Sequence, residues 1–136
     1  MIADNLAFIR ENKKMAVITP RTNAPSLSIF EQDVMAVLSE ETHHLVDGIC
    51  VPKVDTKEDM QQVDDILLRL ESNYGLPFHT FKVIPQIEST LSFVNMKDIF
   101  TFGKPRIIAA AFGGDDFTAD FGVPRSDDDR ELHFAR

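Results

Sequence analysis

The feature that most limits how this chain can fold is an alternation. Short apolar runs recur along it, each followed by a polar turn and then by a stretch with helical periodicity. The runs are Met15–Thr19, Gly48–Val54, Phe81–Ile87 and Arg106–Phe112, and each reads as a buried strand. A helix over 2–12 places Ile2, Leu6 and Ile9 on one face. Val34, Val37 and Leu38 mark the next helix, and Ser28 with Glu31 three residues later is a capping-box pattern at its start. Residues 57–74 carry the clearest stripe, Met60, Val63, Ile66, Leu67 and Leu70. A further helix over 90–101 carries Leu91, Val94 and Ile99. Pro20, Pro52, Gly75 with Pro77, Gly103 with Pro105, and Gly113-Gly114 interrupt or end these elements. A turn at Thr118–Phe121 then leads to a loop, after which Ser126 or Asp127 is predicted to cap a last helix, with Asp128 and Asp129 at its positive end.

Strands alternating with helices imply parallel βαβ units with right-handed crossovers. A doubly wound sheet often carries a glycine-rich phosphate loop, and no GxGxxG or GxxxxGK[ST] occurs here. A (β/α)8 barrel instead places working residues beyond the carboxyl end of strand after strand. The residues in those places are Arg21, Lys53, Glu88 and the pair Asp115-Asp116. The expected fold is therefore α/β: a partial (β/α)8 TIM barrel of about four parallel strands with intervening helices, forming one domain over 1–136.

Charge and composition narrow the function classes. The chain has 22 Asp and Glu against 14 Lys and Arg, a net charge of −8, which disfavours nucleic acid and anionic membranes as partners. The longest fully apolar run, Ile107–Phe112, is far short of the roughly 20 residues that span a bilayer. Cys50 is the one cysteine, so neither an internal disulfide nor a cysteine metal cluster is available, and its apolar neighbours predict a buried thiol. The start has Asp4 and Glu11 and no basic region, unlike a secretory signal. Together these predict a soluble cytoplasmic protein, with an organellar matrix also compatible.

If the third and fourth strands are neighbours, the carboxyl groups of Glu88 and Asp116 meet at one mouth, where they repel unless a proton or cation lies between them. Oxygen ligands alone suit a hard cation, with Mg2+ the natural choice. Asp115 competes with Asp116 for that place, and solvated loop acids or helix caps are the plain alternative. Arg21 suits a carboxylate or a developing enolate, or is an ordinary surface arginine. Lys53 is a second cation at the mouth or a salt-bridge partner. Gly113-Gly114 reads as a tight turn that lets backbone approach a ligand. His43, His44, His79 and His133 show no metal spacing, and no GxSxG elbow or Cys-His constellation stands out.

The segments VITPRTNAPSLSIFEQDV, GICVPKVDTKEDM, VIPQIESTLSFVNMKDI and AAAFGGDDFTADFGVPR, taken in order, resemble the citrate lyase beta-subunit-like branch of the HpcH/HpaI aldolase superfamily. The pattern is arginine-x-asparagine after one strand, proline-lysine ending the next, isoleucine-glutamate on the third and a glycine-x-acid-aspartate turn on the fourth. Asp115 stands where relatives often carry glutamate. The resemblance implies a Mg2+-dependent carbon–carbon lyase acting on a hydroxyacyl-CoA thioester such as citryl-, malyl- or citramalyl-CoA. It implies Glu88 and Asp116 as metal ligands and Arg21 with Glu88 as the catalytic and substrate-binding residues. At 136 residues the chain has about half the length of a whole barrel. That length leaves two alternatives: a non-catalytic fragment or interaction module that keeps the metal cradle, or a 2-oxo acid aldolase that needs no CoA. Unpaired sheet edges would favour a homo-oligomer.

Overall fold

A computed structural model of the chain describes residues 2–12 and 16–133. Helix α1 (Ile2–Asn12) and helix α2 (Phe30–Val37) precede strand β1 (Gly48–Val51). Next come helix α3 (Lys57–Asn73), strand β2 (Lys82–Ile87), helix α4 (Thr90–Gly103), strand β3 (Ala111–Phe112) and helix α5 (Gly114–Phe121). Among the described residues the sheet runs β1-β2-β3, and both strand pairs are parallel. No described helix is long and apolar enough to cross a membrane.

The predicted helical stripe forms the inner face of α3: Met60, Val63, Ile66, Leu67 and Leu70 are all buried. Thr56 starts this helix by accepting the Asp59 N–H, while Asp59 bonds back to the Thr56 N–H. The same device at Ser89 and Ser92 starts α4. On the sheet, Ile49, Val51 and Val83 join the α3 stripe in one core with Phe30, Val34 and Ile99. That side is the helix-covered face. The opposite, inner face carries Cys50, Ile84 and Gln86, all only partly buried.

Several expectations are corrected. Met15 lies outside the described residues, and Ala16–Thr19 is no strand. Pairing with β1 is instead centred on Arg21, which forms a parallel bridge with Cys50. Ile18 and Pro20 carbonyls accept the N–H groups of Asp47 and Cys50, and the Thr22 N–H donates to the Cys50 carbonyl. Pro20 has no N–H to give, so the ladder is broken there. The fourth run is also discontinuous. Val83 pairs with Ile107 but Gln86 with Ala111, so the offset grows from 24 to 25, one extra residue on the outer segment. Such a bulge interrupts the ladder and re-aims the residues beyond it.

Ser28 does not cap α2. Ile29 holds the N-cap position without a side-chain bond, because the chain is already turned there by Leu27 N–H to Ala24 and Phe30 N–H to Leu27. Glu31 reaches across to Arg69 instead. Thr118–Phe121 belongs to α5, whose first turn holds Asp115 and Asp116 where a helix dipole favours acids. Neither Ser126 nor Asp127 caps a last helix: a single 3-10 turn, Arg130–Leu132, comes after Asp129, and residues 134–136 lie outside the described part. Cys50 is half-buried, on the inner face, where burial raises its thiol pKa while Arg21 opposes the shift.

Candidate functional site

Three strand ends build the site. Glu88 lies directly beyond β2 and is 4% exposed. On one side the Lys53 main-chain N–H, two residues beyond β1, donates to Glu88 Oε1 at 3.1 Å. On the other side lies Gly113, between β3 and α5. A Cβ placed on Gly113 would stand 2.6 Å from Glu88 Cβ and 2.7 Å from Oε2, so only glycine lets the two strand ends close together. The glycine thus brings the backbone up against a carboxylate of the site.

Burial raises the Glu88 pKa, and the Asp116 carboxylate raises it further. The Lys53 N–H, Arg21 and the Lys53 ammonium work against that rise without cancelling it. The structure therefore brings Glu88, Asp116 and Arg21 into one electrostatic neighbourhood. Asp115 is turned away: its carboxylate is exposed and pairs with Arg125 Nε at 3.0 Å, in a cluster where Arg125 also holds Asp129 and Glu131. Beside Glu88's neighbours opens a cavity of about 500 Å3, lined by Arg21, Thr22, Asn23, Pro52 and Lys53 among others.

Sequence reasoning missed several supports. Asp33 on α2 accepts from both the main chain and the side chain of Asn23, which fixes the loop just beyond Arg21. Asp55 accepts from the Ser89 hydroxyl, and Asn95 donates to the Asp55 carbonyl, so the loops after β1 and β2 are tied to each other. Gln86 Oε1 is buried with no hydrogen-bond partner, two residues before Glu88 on the same face. An acid alternating with an amide at a strand end was the available signal for Gln86. His43 is engaged elsewhere: it stacks on Tyr74 at 4.2 Å and bonds the Ser39 carbonyl.

The whole chain, residues 1–136, matches the sequence profile described as HpcH/HpaI aldolase/citrate lyase. The chain belongs to that family. It is 29% identical over 116 residues to the citrate lyase subunit beta of Leuconostoc mesenteroides subsp. cremoris, covering 85% of this chain and 37% of that protein. With the citrate lyase subunit beta of Escherichia coli (strain K12) it is 30% identical over 90 residues, 66% of this chain and 30% of the other. The chain thus spans about a third of the length of these relatives. Among solved structures it resembles the Haloferax volcanii malate synthase magnesium/glyoxylate complex, with a TM-score of 0.75 at 19% identity over 90% of this chain and 40% of that one. A citrate lyase from Burkholderia xenovorans LB400 gives a TM-score of 0.69 at 14% identity, over 89% of this chain and 47% of that one. These likenesses identify the fold as part of a TIM-barrel-like architecture.

For a metal ion, the donor set of this family member is sparse but suitable. Among the described residues no three His, Cys, Asp or Glu side chains gather as a metal-holding group. Glu88 and Asp116 offer two carboxylates, which is the protein share Mg2+ usually takes when water and substrate oxygens complete its shell. At Glu88 burial, and then the Asp116 carboxylate, outweigh the Lys53 N–H, Arg21 and the Lys53 ammonium, so a further positive charge there would be favoured. The residues fit a hard divalent cation.

Proposed function

We propose that the mouth formed by Glu88, Asp116 and Arg21 serves a Mg2+-dependent carbon–carbon lyase, cleaving or forming a hydroxyacyl-CoA thioester of the citryl, malyl or citramalyl type. The observation that carries this reading is the buried Glu88 carboxylate, held by one oxygen on the Lys53 N–H and pushed to a raised pKa by burial and Asp116. Membership of the aldolase/citrate lyase family supports the reaction class. Because the chain covers 37% of the first relative's length, activity of these 136 residues belongs to the proposal.

Glu88 and Asp116 would hold the cation, which when bound supplies Lewis-acid polarisation of the acid's oxygens. Arg21 presents a forked, permanently charged guanidinium at the cavity wall, suited to a carboxylate and to negative charge that grows as the carbon–carbon bond breaks. A cytoplasmic setting and self-association are part of the same proposal; Ala109 and Ala110, exposed and between the two pairing sites of the last strand run, leave that edge open.

The test is calorimetry of Mg2+ with and without oxaloacetate, beside a lyase assay on malyl- and citramalyl-CoA. Weak binding that tightens with the 2-oxo acid is expected. Glu88→Gln and Asp116→Asn should each abolish the tightening, while Asp115→Asn should change it little. Equal binding by the parent and Glu88→Gln would sink the metal site. Cleavage of a free 2-oxo acid without CoA would select the thioester-free aldolase.

A further inference from the structure

Three non-glycine residues among those described have positive φ, and two of them share a role. His79, at φ 64°, aims its N–H at the buried Glu71, with Oε2 at 2.9 Å. Lys53, at φ 50°, aims its N–H at the buried Glu88, with Oε1 at 3.1 Å. Left-handed backbone is disfavoured for a residue with a Cβ, and neither side chain offers the local bond by which Asn or Asp offsets it. Such strain persists where the surroundings hold it in place, and here both instances point a main-chain donor at a carboxylate.

The two carboxylates differ in what else they receive. Glu71 also accepts from the Phe81 N–H at 2.9 Å and from two nitrogens of Arg106, at 2.8 and 3.0 Å, so both oxygens are saturated. Glu88 has the Lys53 N–H on Oε1, and no other direct hydrogen bond to its carboxylate occurs among the described residues. Its Oε2 lies against Gly113. The same backbone device therefore completes a structural ion pair in one place and leaves half a carboxylate open in the other. The Lys53 ammonium meanwhile acts at a distance, lowering the pKa of both Glu88 and Asp120.

We infer that Lys53 is a positioning residue whose left-handed backbone, through its N–H on Glu88 Oε1, fixes the carboxylate so that Oε2 stays unpaired for the cation that would bind at the strand ends. The inference rests on the proposed metal site and adds to it that the backbone geometry at 53 does this work, with the ammonium secondary. Partners that fix the orientation of a metal-holding side chain typically change metal affinity by about 10–100-fold when lost.

Two substitutions separate backbone from charge. Lys53→Val keeps the N–H but makes positive φ costly, whereas Lys53→Gly removes the ammonium and admits positive φ freely. Mg2+ calorimetry should show at least about a tenfold loss for Lys53→Val and recovery to within about threefold of the parent for Lys53→Gly. A metal-free arm tracks amide hydrogen exchange: the Lys53 N–H should be protected in the parent and lose protection in Glu88→Ala. If Lys53→Gly loses as much as Lys53→Val, or Lys53→Val loses nothing, the positioning role is overturned while the metal site stands. If the parent itself binds Mg2+ no better than Glu88→Gln, the metal site falls and the role falls with it, whatever the exchange arm shows.

Discussion

At Gly113 the distance between two strand ends is set by a missing atom. Its virtual Cβ would collide with both Glu88 Cβ and Oε2, so Gly113→Ala must push Glu88 off its place. We expect roughly 1–3 kcal/mol of destabilisation in urea unfolding, the usual cost of overpacking, with Mg2+ affinity reduced about tenfold or more in calorimetry. Glu88 also sets a pH dependence. Burial, then Asp116, raises its pKa, so the fold favours the protonated acid. Its contribution to stability is therefore full below the unfolded glutamate pKa and is lost as pH rises through the raised folded value. Cation binding needs the ionised form and runs the other way. Mg2+ affinity should fall as pH drops, starting at a higher pH than an ordinary glutamate would dictate. In Asp116→Asn the Glu88 pKa itself should move down, as a metal-free NMR titration of its carboxyl would read. Calorimetry across a pH series checks the parent's Mg2+ dependence.

Between elements, the least replaceable contact is the buried ion pair joining α3 to the start of the last strand run. Arg106 is 1% exposed and bonds Glu71, itself 0% exposed, and also Asp64. Burial alone would raise the Glu71 pKa, but the bonds from Arg106, Phe81 and His79 together bring it below its usual value. The stability this contributes is present above the unfolded glutamate pKa and is lost as pH falls through the lowered folded one. Arg106→Met leaves Glu71 as an uncompensated buried charge. It should cost about 3–5 kcal/mol in urea unfolding, and the loss should shrink toward acid pH as Glu71 takes up a proton. Helix α3 was readable from the sequence because its apolar stripe and its Gly75-Pro77 stop coincide. Helix α4 was readable in extent but not in its buried face: of the expected stripe Ile99 is buried, whereas Leu91 and Val94 are exposed. Helix α5 was not readable, since Gly113-Gly114 reads as a breaker although Asp115 and Asp116 favour a helix start just beyond it.

For the whole molecule, the open sheet is the dominant feature. The segment carrying Ile108, Ala109 and Ala110 is exposed and uncharged, without the lysines or prolines that usually blunt a free edge. Half-exposed Phe112 follows it on β3. We expect a solution mass above the 15.3 kDa of one chain by light scattering, falling toward it in Ala110→Lys. A single 15.3 kDa species at all concentrations would remove self-association from the proposal.

By itself the sequence determined the parallel α/β order, the buried face of α3, the family and the identity of the residues at each strand end, since periodicity, caps and motif order are local quantities. Tertiary structure alone decided where those residues point. Asp115 and Asp116 are neighbours in sequence, and only the fold assigns one to Arg125 and the other to the field at Glu88. Pro20 and the extra residue before Ala111 displaced two predicted strands, because ladder register depends on a partner strand that no local pattern encodes. The main-chain N–H of Lys53 was invisible for the same reason. A backbone donor has no side-chain signature, and its role appears only when a distant carboxylate is brought to within 3.1 Å.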